Sequence, residues 1–82
     1  MSLDDSQPGP AAVVDARGLR CPLPVIRLAK RAQEAAPGEV IEVWATDPAA
    51  EADIPAWCRL RGQEFLGAHG GEHTAYRIRI VG

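Results

Sequence analysis

Apolar residues occur in short or alternating runs in some segments and at helical spacing in others. The short or alternating runs predict four strands, at residues 12–15, 39–46, 63–68 and 74–81. Helical spacing predicts a first helix that ends before Pro37-Gly38 and places on one side Val25, Leu28, Ala29, Ala32 and Ala36. Residues 1–11 contain Pro8-Gly9-Pro10 and are predicted to be a flexible tail ahead of a single domain over 12–82.

Pro55 decides where the second helix begins. A helix begun at Asp47-Pro48 would hold Pro55 deep inside, where its ring clashes with the preceding turn. We therefore predict a short turn over 48–52 and a second helix capped by Asp53, with Pro55 in the opening turn. One face of that helix carries Ile54, Trp57, Cys58 and Arg61.

The predicted element order is strand, helix, strand, helix, strand, strand. Two helices can cover only one face of a four-stranded sheet, so we predict an α/β (α+β) two-layer sandwich with a mixed sheet and both helices on one face. The other face is then open. Alternation along the strands puts Trp44, Arg77 and Arg79 on it, where a cation–π contact could form.

Composition and charge narrow the function classes. The 82 residues are 46% hydrophobic and 24% charged, with a net charge of −2, so the chain has no overall basic footprint for nucleic acid. No apolar run approaches membrane-spanning length, and the start Met1-Ser2-Leu3-Asp4-Asp5 does not resemble a signal peptide. These features predict a cytoplasmic location without membrane partners, where a disulfide between the two cysteines is not expected.

Cys21 is the strongest candidate for chemistry. Pro22 favours the extended backbone that an N-cap residue needs, and Pro22 and Pro24 both fit a first helical turn. Cys21 would then face the positive end of the helix dipole, with the Leu23 amide as nearest donor and Arg20 adding positive potential. Such surroundings lower a cysteine pKa, so we predict an accessible thiolate; the alternative is a small, inert turn residue.

Several segments together resemble one known family. They are the CPxP motif Cys21-Pro22-Leu23-Pro24, the preceding Asp15-Ala16-Arg17-Gly18-Leu19-Arg20, and the later Asp47-Pro48-Ala49, Asp53-Ile54-Pro55 and Trp57-Cys58. These segments, between Val13 and Ile80, are similar to those of the small TusA/SirA-like sulfur-carrier proteins. Leu23 departs from the pattern, since family members tend to have a polar or acidic residue between the two prolines.

The resemblance implies a sulfurtransferase-type carrier. Cys21 would accept sulfane sulfur as a persulfide, supported by Arg20, Pro22, Leu23 and Pro24, with no cofactor other than that covalent sulfur and no metal. The implied partners are a cysteine desulfurase or rhodanese-type sulfur donor and a downstream acceptor protein. The implied pathways are tRNA thiolation, molybdenum cofactor assembly and sulfur metabolism.

Other residues carry weaker hypotheses. Cys58 is either a resolving cysteine or, as its helical spacing favours, a buried structural thiol. A zinc site would need Cys21, Cys58, His69 and His73, but the cysteines lack the close pairing typical of such sites. Asp47 and Asp53 are interpreted as helix caps and not as catalytic acids.

Two surfaces remain as candidate interfaces. The first helix carries a mostly basic stripe with Arg27, Lys30, Arg31 and Glu34, either an ordinary solvated face or a docking surface in which Arg27 and Arg31 meet acidic partners. The alternative function is an RNA-binding or regulatory protein-interaction module that uses this stripe or the open sheet face.

Overall fold

The computed structural model describes residue 10 and residues 12–82, and it contains the six predicted elements in the predicted order. The strands are β1 Ala12–Ala16, β2 Val40–Ala45, β3 Glu64–His69 and β4 Thr74–Arg79, and the helices are α1 Leu23–Ala32 and α2 Ala50–Arg61. The predicted tail at residues 1–11 lies, except for Pro10, outside the described residues.

The four strands form one mixed sheet in the order β1-β2-β4-β3. β1 and β2 are parallel and are joined through α1, whereas β4 runs antiparallel to both of its neighbours. Because β1 and β2 are parallel, their carboxyl ends meet at the same edge of the sheet. The predicted two-layer architecture is confirmed, and this edge is where the candidate site forms.

The core lies between the sheet and the two helices. Alternate strand residues point inward, and the buried ones are Val14, Ala16, Ile41, Val43, Ala45, Tyr76 and Ile78. Ile80, directly after β4, continues this inward face. α1 contributes Pro24 and Leu28, and α2 contributes Ala50, Ile54, Trp57 and Cys58. The alternation read from the sequence therefore identified the inner face of β2 and β4 correctly.

α1 is shorter than predicted, because it ends at Ala32 and not at Ala36. Beyond it the backbone closes tighter turns, in which the Glu34 amide donates to the Arg31 carbonyl at 3.0 Å. Helical backbone is disfavoured at the residue before a proline, so Pro37 disfavours a helical conformation at Ala36. The apolar residue at position 36 continued the helical spacing without continuing the helix.

α2 begins earlier than predicted. Ala49 is its N-cap and Asp53 lies inside the helix, donating its amide to the Ala49 carbonyl at 3.0 Å. The side chain of Asp47 makes the earlier start possible, since its Oδ1 accepts a hydrogen bond from the Ala49 amide at 3.0 Å. Pro55 is tolerated within the helix because the carbonyl that loses its partner belongs to the exposed Glu51. Asp53 is thus not a cap, which frees its carboxylate.

Candidate functional site

The chain around Cys21 enters α1 one residue later than predicted. Pro22 occupies the N-cap position, and the Ile26 amide donates to the Pro22 carbonyl at 3.0 Å. The Leu23 amide, expected to face the thiol, donates instead to the Arg20 carbonyl at 2.8 Å. The Cys21–Pro22 peptide bond is cis. Cys21 is exposed and precedes the helix, so it is not the N-cap residue.

Two carboxylates accept hydrogen bonds from Cys21, that of Asp47 just after β2 and that of Asp53 in α2. Its amide donates to Oδ2 of Asp47 at 2.7 Å, and its Sγ donates to Oδ2 of Asp53 at 2.8 Å. Asp47 follows β2 directly and Asp53 lies one helical turn into α2. These residues meet because the parallel strands β1 and β2 end at the same sheet edge.

The predicted lowering of the thiol pKa is wrong. The hydrogen bond to Asp53 raises the pKa of Cys21 above its usual value, and loss of solvation and the negative charges of Asp53 and Asp47 act in the same direction. Proton loss would leave a thiolate facing a carboxylate, which like-charge repulsion disfavours. Cys21 is therefore a protonated, exposed thiol in the free protein at neutral pH.

Asp47 anchors the site through its backbone partners. Hydrogen bonds from the amides of Ala49 and Cys21 lower the pKa of Asp47, and the positive charge of Arg20 adds to that effect. Arg20 thus acts on Asp47, and not on the thiol as the sequence suggested. The loop before it is fixed by Gly18, whose amide donates to the Thr46 hydroxyl at 2.9 Å and whose φ of 80° suits a glycine.

The remaining motif residues have separate positions. Pro24 is fully buried beneath the site, whereas Pro22 and Leu23 are exposed beside Cys21. On α1, Arg27 is exposed, but Arg31 is half-buried and its Nη1 has no hydrogen-bond partner among the described residues. The two arginines that the sequence grouped as docking residues are therefore not equivalent, and only Arg27 is fully available to a partner.

Cys58 lies in the core on α2. It is 1% exposed, and burial raises the pKa of its thiol to about 11. Neither cysteine is in a disulfide. The four residues considered for zinc are not clustered, and the described part of the chain contains no group of three or more metal-ligating side chains. Cys58 is buried, as its helical spacing indicated.

Side chains on the open sheet face contact one another and side chains of the adjacent loops. Nε1 of Trp44 donates to Glu42 at 2.7 Å, and the cation over its ring is Arg17, at 5.0 Å from the ring centroid, and not Arg77 or Arg79 as suggested. His73 lies on the same ring at 4.9 Å between centroids.

The arginines of the sheet face have acidic partners. Arg77 pairs with Glu42 at 2.8 Å and Arg79 with Glu64 at 2.9 Å. Phosphate groups would have to compete with these carboxylates, so the observed pairing disfavours the RNA-binding alternative.

The contact between Asp53 and the Cys21 thiol is one that sequence reasoning missed. The signal was available, since the carboxyl ends of two parallel strands bring the segments after them together. Because both aspartates could be explained as helix caps, the contacts of their carboxylates with Cys21 were not predicted from the sequence. Neither residue is the N-cap, because that position is Ala49: Asp47 lies two residues before it and Asp53 lies inside the helix.

The fold and the site together define a class of small two-layer α+β proteins with an exposed CPxP cysteine at the sheet edge. The sequence model of the family "Sulfurtransferase TusA" matches residues 12–81. The chain therefore belongs to the TusA family.

Named relatives agree with this assignment. The "Sulfur carrier protein TusA" of Pseudomonas entomophila is 50% identical over 56 residues, which cover 68% of this chain and 70% of the relative. The "Putative sulfur carrier protein" of Archaeoglobus fulgidus is 51% identical, with 65% and 69% covered. The "Putative sulfur carrier protein YrkF" of Bacillus subtilis is 39% identical over 77% of this chain, but the match spans only 40% of that relative.

A solved structure supports the fold. The SirA-like protein of Desulfitobacterium hafniense superimposes with a TM-score of 0.76 over 87% of this chain and 99% of its own, at 22% identity. That similarity confirms the βαβαββ architecture. In the described residues, neither helix has the length and apolar character needed to cross a membrane.

Proposed function

We propose that this protein carries sulfane sulfur as a persulfide on Cys21, accepting it from one protein and passing it to another. The observation that carries the proposal is the contrast in exposure within a TusA-family chain: the CPxP cysteine is exposed, whereas Cys58 is buried. A protein-bound persulfide must meet the carrier's sulfur directly, which only an exposed thiol allows. A cytoplasmic location is part of this proposal.

The chemistry is thiol–persulfide exchange. Cys21 Sγ attacks the terminal sulfur of the donor persulfide, a new S–S bond forms on Cys21, and the donor's S–S bond breaks. The donor leaves as a thiol, so nothing is oxidised or reduced overall. The second exchange, with Cys21 as the donor, delivers the sulfur to the acceptor protein.

The test is sulfur loading of purified protein. A cysteine desulfurase with cysteine as substrate is the sulfur source, and intact-mass spectrometry counts the sulfur atoms gained by wild type, Cys21→Ser and Cys58→Ala. We expect wild type and Cys58→Ala to gain one sulfur atom that a reductant removes, and Cys21→Ser to gain none. Loading of Cys21→Ser at the wild-type level would disprove the assignment to Cys21.

The partners belong to the same proposal. The donor is a cysteine desulfurase or a rhodanese-type protein, and the acceptor serves tRNA thiolation, molybdenum cofactor assembly or sulfur metabolism. The relatives named sulfur carrier proteins support a relay role. Arg27, exposed on α1 near the site, is proposed to contact acidic residues of a partner.

Charge reversal tests that contact. Arg27→Glu should slow protein-to-protein sulfur transfer by about tenfold at low salt, because rim charges act mainly on association, and the difference should shrink as salt is added. Arg59→Glu, an equal charge change at an exposed position of α2, is the matched control and should transfer like wild type. Equal rates for the two variants would show that Arg27 belongs to an ordinary solvated face.

A further inference from the structure

We propose that Asp53 is the general base of sulfur transfer, taking the Cys21 proton as Sγ attacks the donor persulfide. This inference rests on the function proposed above. It adds a catalytic residue that contacts the reacting atom itself, since Oδ2 of Asp53 lies 2.8 Å from Sγ of Cys21. A general base must be within hydrogen-bond reach of the proton that it removes, and Asp53 meets that condition.

The geometry is fixed from both sides. The Cys21 backbone is anchored by its amide hydrogen bond to Asp47, and the thiol reaches Asp53 from that position. Asp53 is part of α2, where its own amide donates to the Ala49 carbonyl. Cys21 lies in the loop between β1 and α1, and Asp53 lies in a regular helix, so the contact depends on the packing of these elements against each other.

The electrostatics explain why a base is needed. The charged groups that face the thiol are Asp53 from α2 and Asp47 from the segment after β2, and together they raise the pKa of Cys21. Arg20 offsets part of the negative charge of Asp47. Little thiolate is present at neutral pH, so the reaction must start from the thiol or from a minor species. A hydrogen-bonded carboxylate lets the thiol itself react.

The proton transfer occurs as the bond forms. The sulfur proton becomes strongly acidic only while Sγ is bonding to the donor's terminal sulfur, and at that point the Asp53 carboxylate accepts it. The donor's S–S bond breaks and its electron pair goes to the donor cysteine sulfur. Asp53 then passes the proton to that sulfur, which restores the carboxylate and releases the donor as a thiol. The exchange is redox-neutral and consumes no further reactant.

The decisive variant is Asp53→Asn, made in Cys58→Ala protein so that one thiol is counted. Two rates are measured from about pH 6 to about pH 10, a range that includes the ordinary pKa of a cysteine thiol. The first is alkylation by iodoacetamide, which reports thiolate. The second is sulfur loading from glutathione hydropersulfide, followed by intact mass. A small donor removes any effect of protein docking. Glu51→Gln, the same change at an exposed position of α2, is the matched control.

The two rates should move in opposite directions. Asp53→Asn should alkylate faster at neutral pH, because removing the carboxylate lowers the pKa of Cys21. It should load sulfur about tenfold more slowly, since the loss of a general base, worth about 10²-fold at the low end, is partly offset by the larger thiolate fraction. Its loading rate should rise with pH as the thiol ionises, whereas wild-type loading stays nearly flat over the same range.

Other outcomes overturn the proposal. Equal or faster loading by Asp53→Asn would mean that Asp53 only suppresses the thiolate, and unchanged alkylation would mean that it does not act on the thiol. If Asp53→Asn does not fold, the loading rate of wild type is compared in H₂O and in D₂O at a pH below the thiol pKa. A clearly slower rate in D₂O would support proton transfer in the rate-limiting step. Equal rates would exclude proton transfer from that step and overturn the proposal. Failure of wild type to load would instead disprove the carrier function, while the alkylation profile would still report the Asp53 contact.

Discussion

The two cysteines of this protein both have thiol pKa values above the usual one, yet for different reasons. Cys21 is exposed, and its pKa is raised mainly by a hydrogen bond to Asp53. Cys58 is 1% exposed, and its pKa is raised by burial. The direction of the shift is the same, so pKa alone does not distinguish a reactive thiol from a structural one. Access and the identity of the neighbouring group do.

The cause of each shift determines whether it can be reversed. Burial raises the Cys58 pKa permanently as long as the core is packed. A hydrogen bond to a carboxylate holds the Cys21 proton at a position from which it can be removed when the sulfur reacts. A raised thiol pKa is therefore compatible with sulfur transfer where the group that raises it can also act as a base.

The largest expected difference between the two thiols is in their alkylation rates. Under native conditions Cys58 should react with iodoacetamide at least about 10³-fold more slowly than Cys21, because it becomes accessible only when the protein opens, which costs roughly 5 kcal/mol or more. Mass spectrometry of peptides after timed labelling measures both rates in one sample.

The same experiment in denaturant provides the control, since both thiols should then react at similar rates. In the native protein, the alkylation rate of Cys21 should rise with pH and continue to rise beyond the usual thiol pKa, because the fold raises the pKa of this thiol. Native labelling of Cys58 at a rate close to that of Cys21 would contradict its burial and make it a second candidate for sulfur binding.

A smaller difference is expected in stability. Cys58→Ala removes a buried sulfur from the core and should lower the free energy of unfolding by about 1–2 kcal/mol. Cys21→Ala removes an exposed side chain and should change it by no more than about 0.5 kcal/mol. Urea denaturation of the two variants, compared with wild type at neutral pH, measures both values.

A stability loss in Cys21→Ala that equals or exceeds the loss in Cys58→Ala would contradict the comparison. It would mean that the contact between Cys21 and Asp53 is a main structural link between the start of α1 and α2. A near-zero effect of Cys58→Ala would instead show that the core closes readily around the smaller side chain.

Periodicity and turn residues predicted most of the fold. Alternation along β2 and β4 identified the inner face, and the CPxP motif identified the cysteine that lies exposed at the start of α1. Helix boundaries were less predictable. Ala36 continued the apolar spacing of α1 although the helix ends at Ala32. Pro55 was placed too early in α2, because a proline costs little where the carbonyl that loses its partner belongs to an exposed residue.

The sequence by itself determined the element order, the buried faces and the position of the CPxP cysteine, because these depend on local spacing and on a specific motif. Only the tertiary structure decided the state of that thiol. Asp53 is far from Cys21 along the chain, and the parallel pairing of β1 with β2 brings the start of α2 to the sheet edge where Cys21 lies. A lowered pKa followed from the local sequence, whereas the raised pKa follows from a carboxylate supplied by another element.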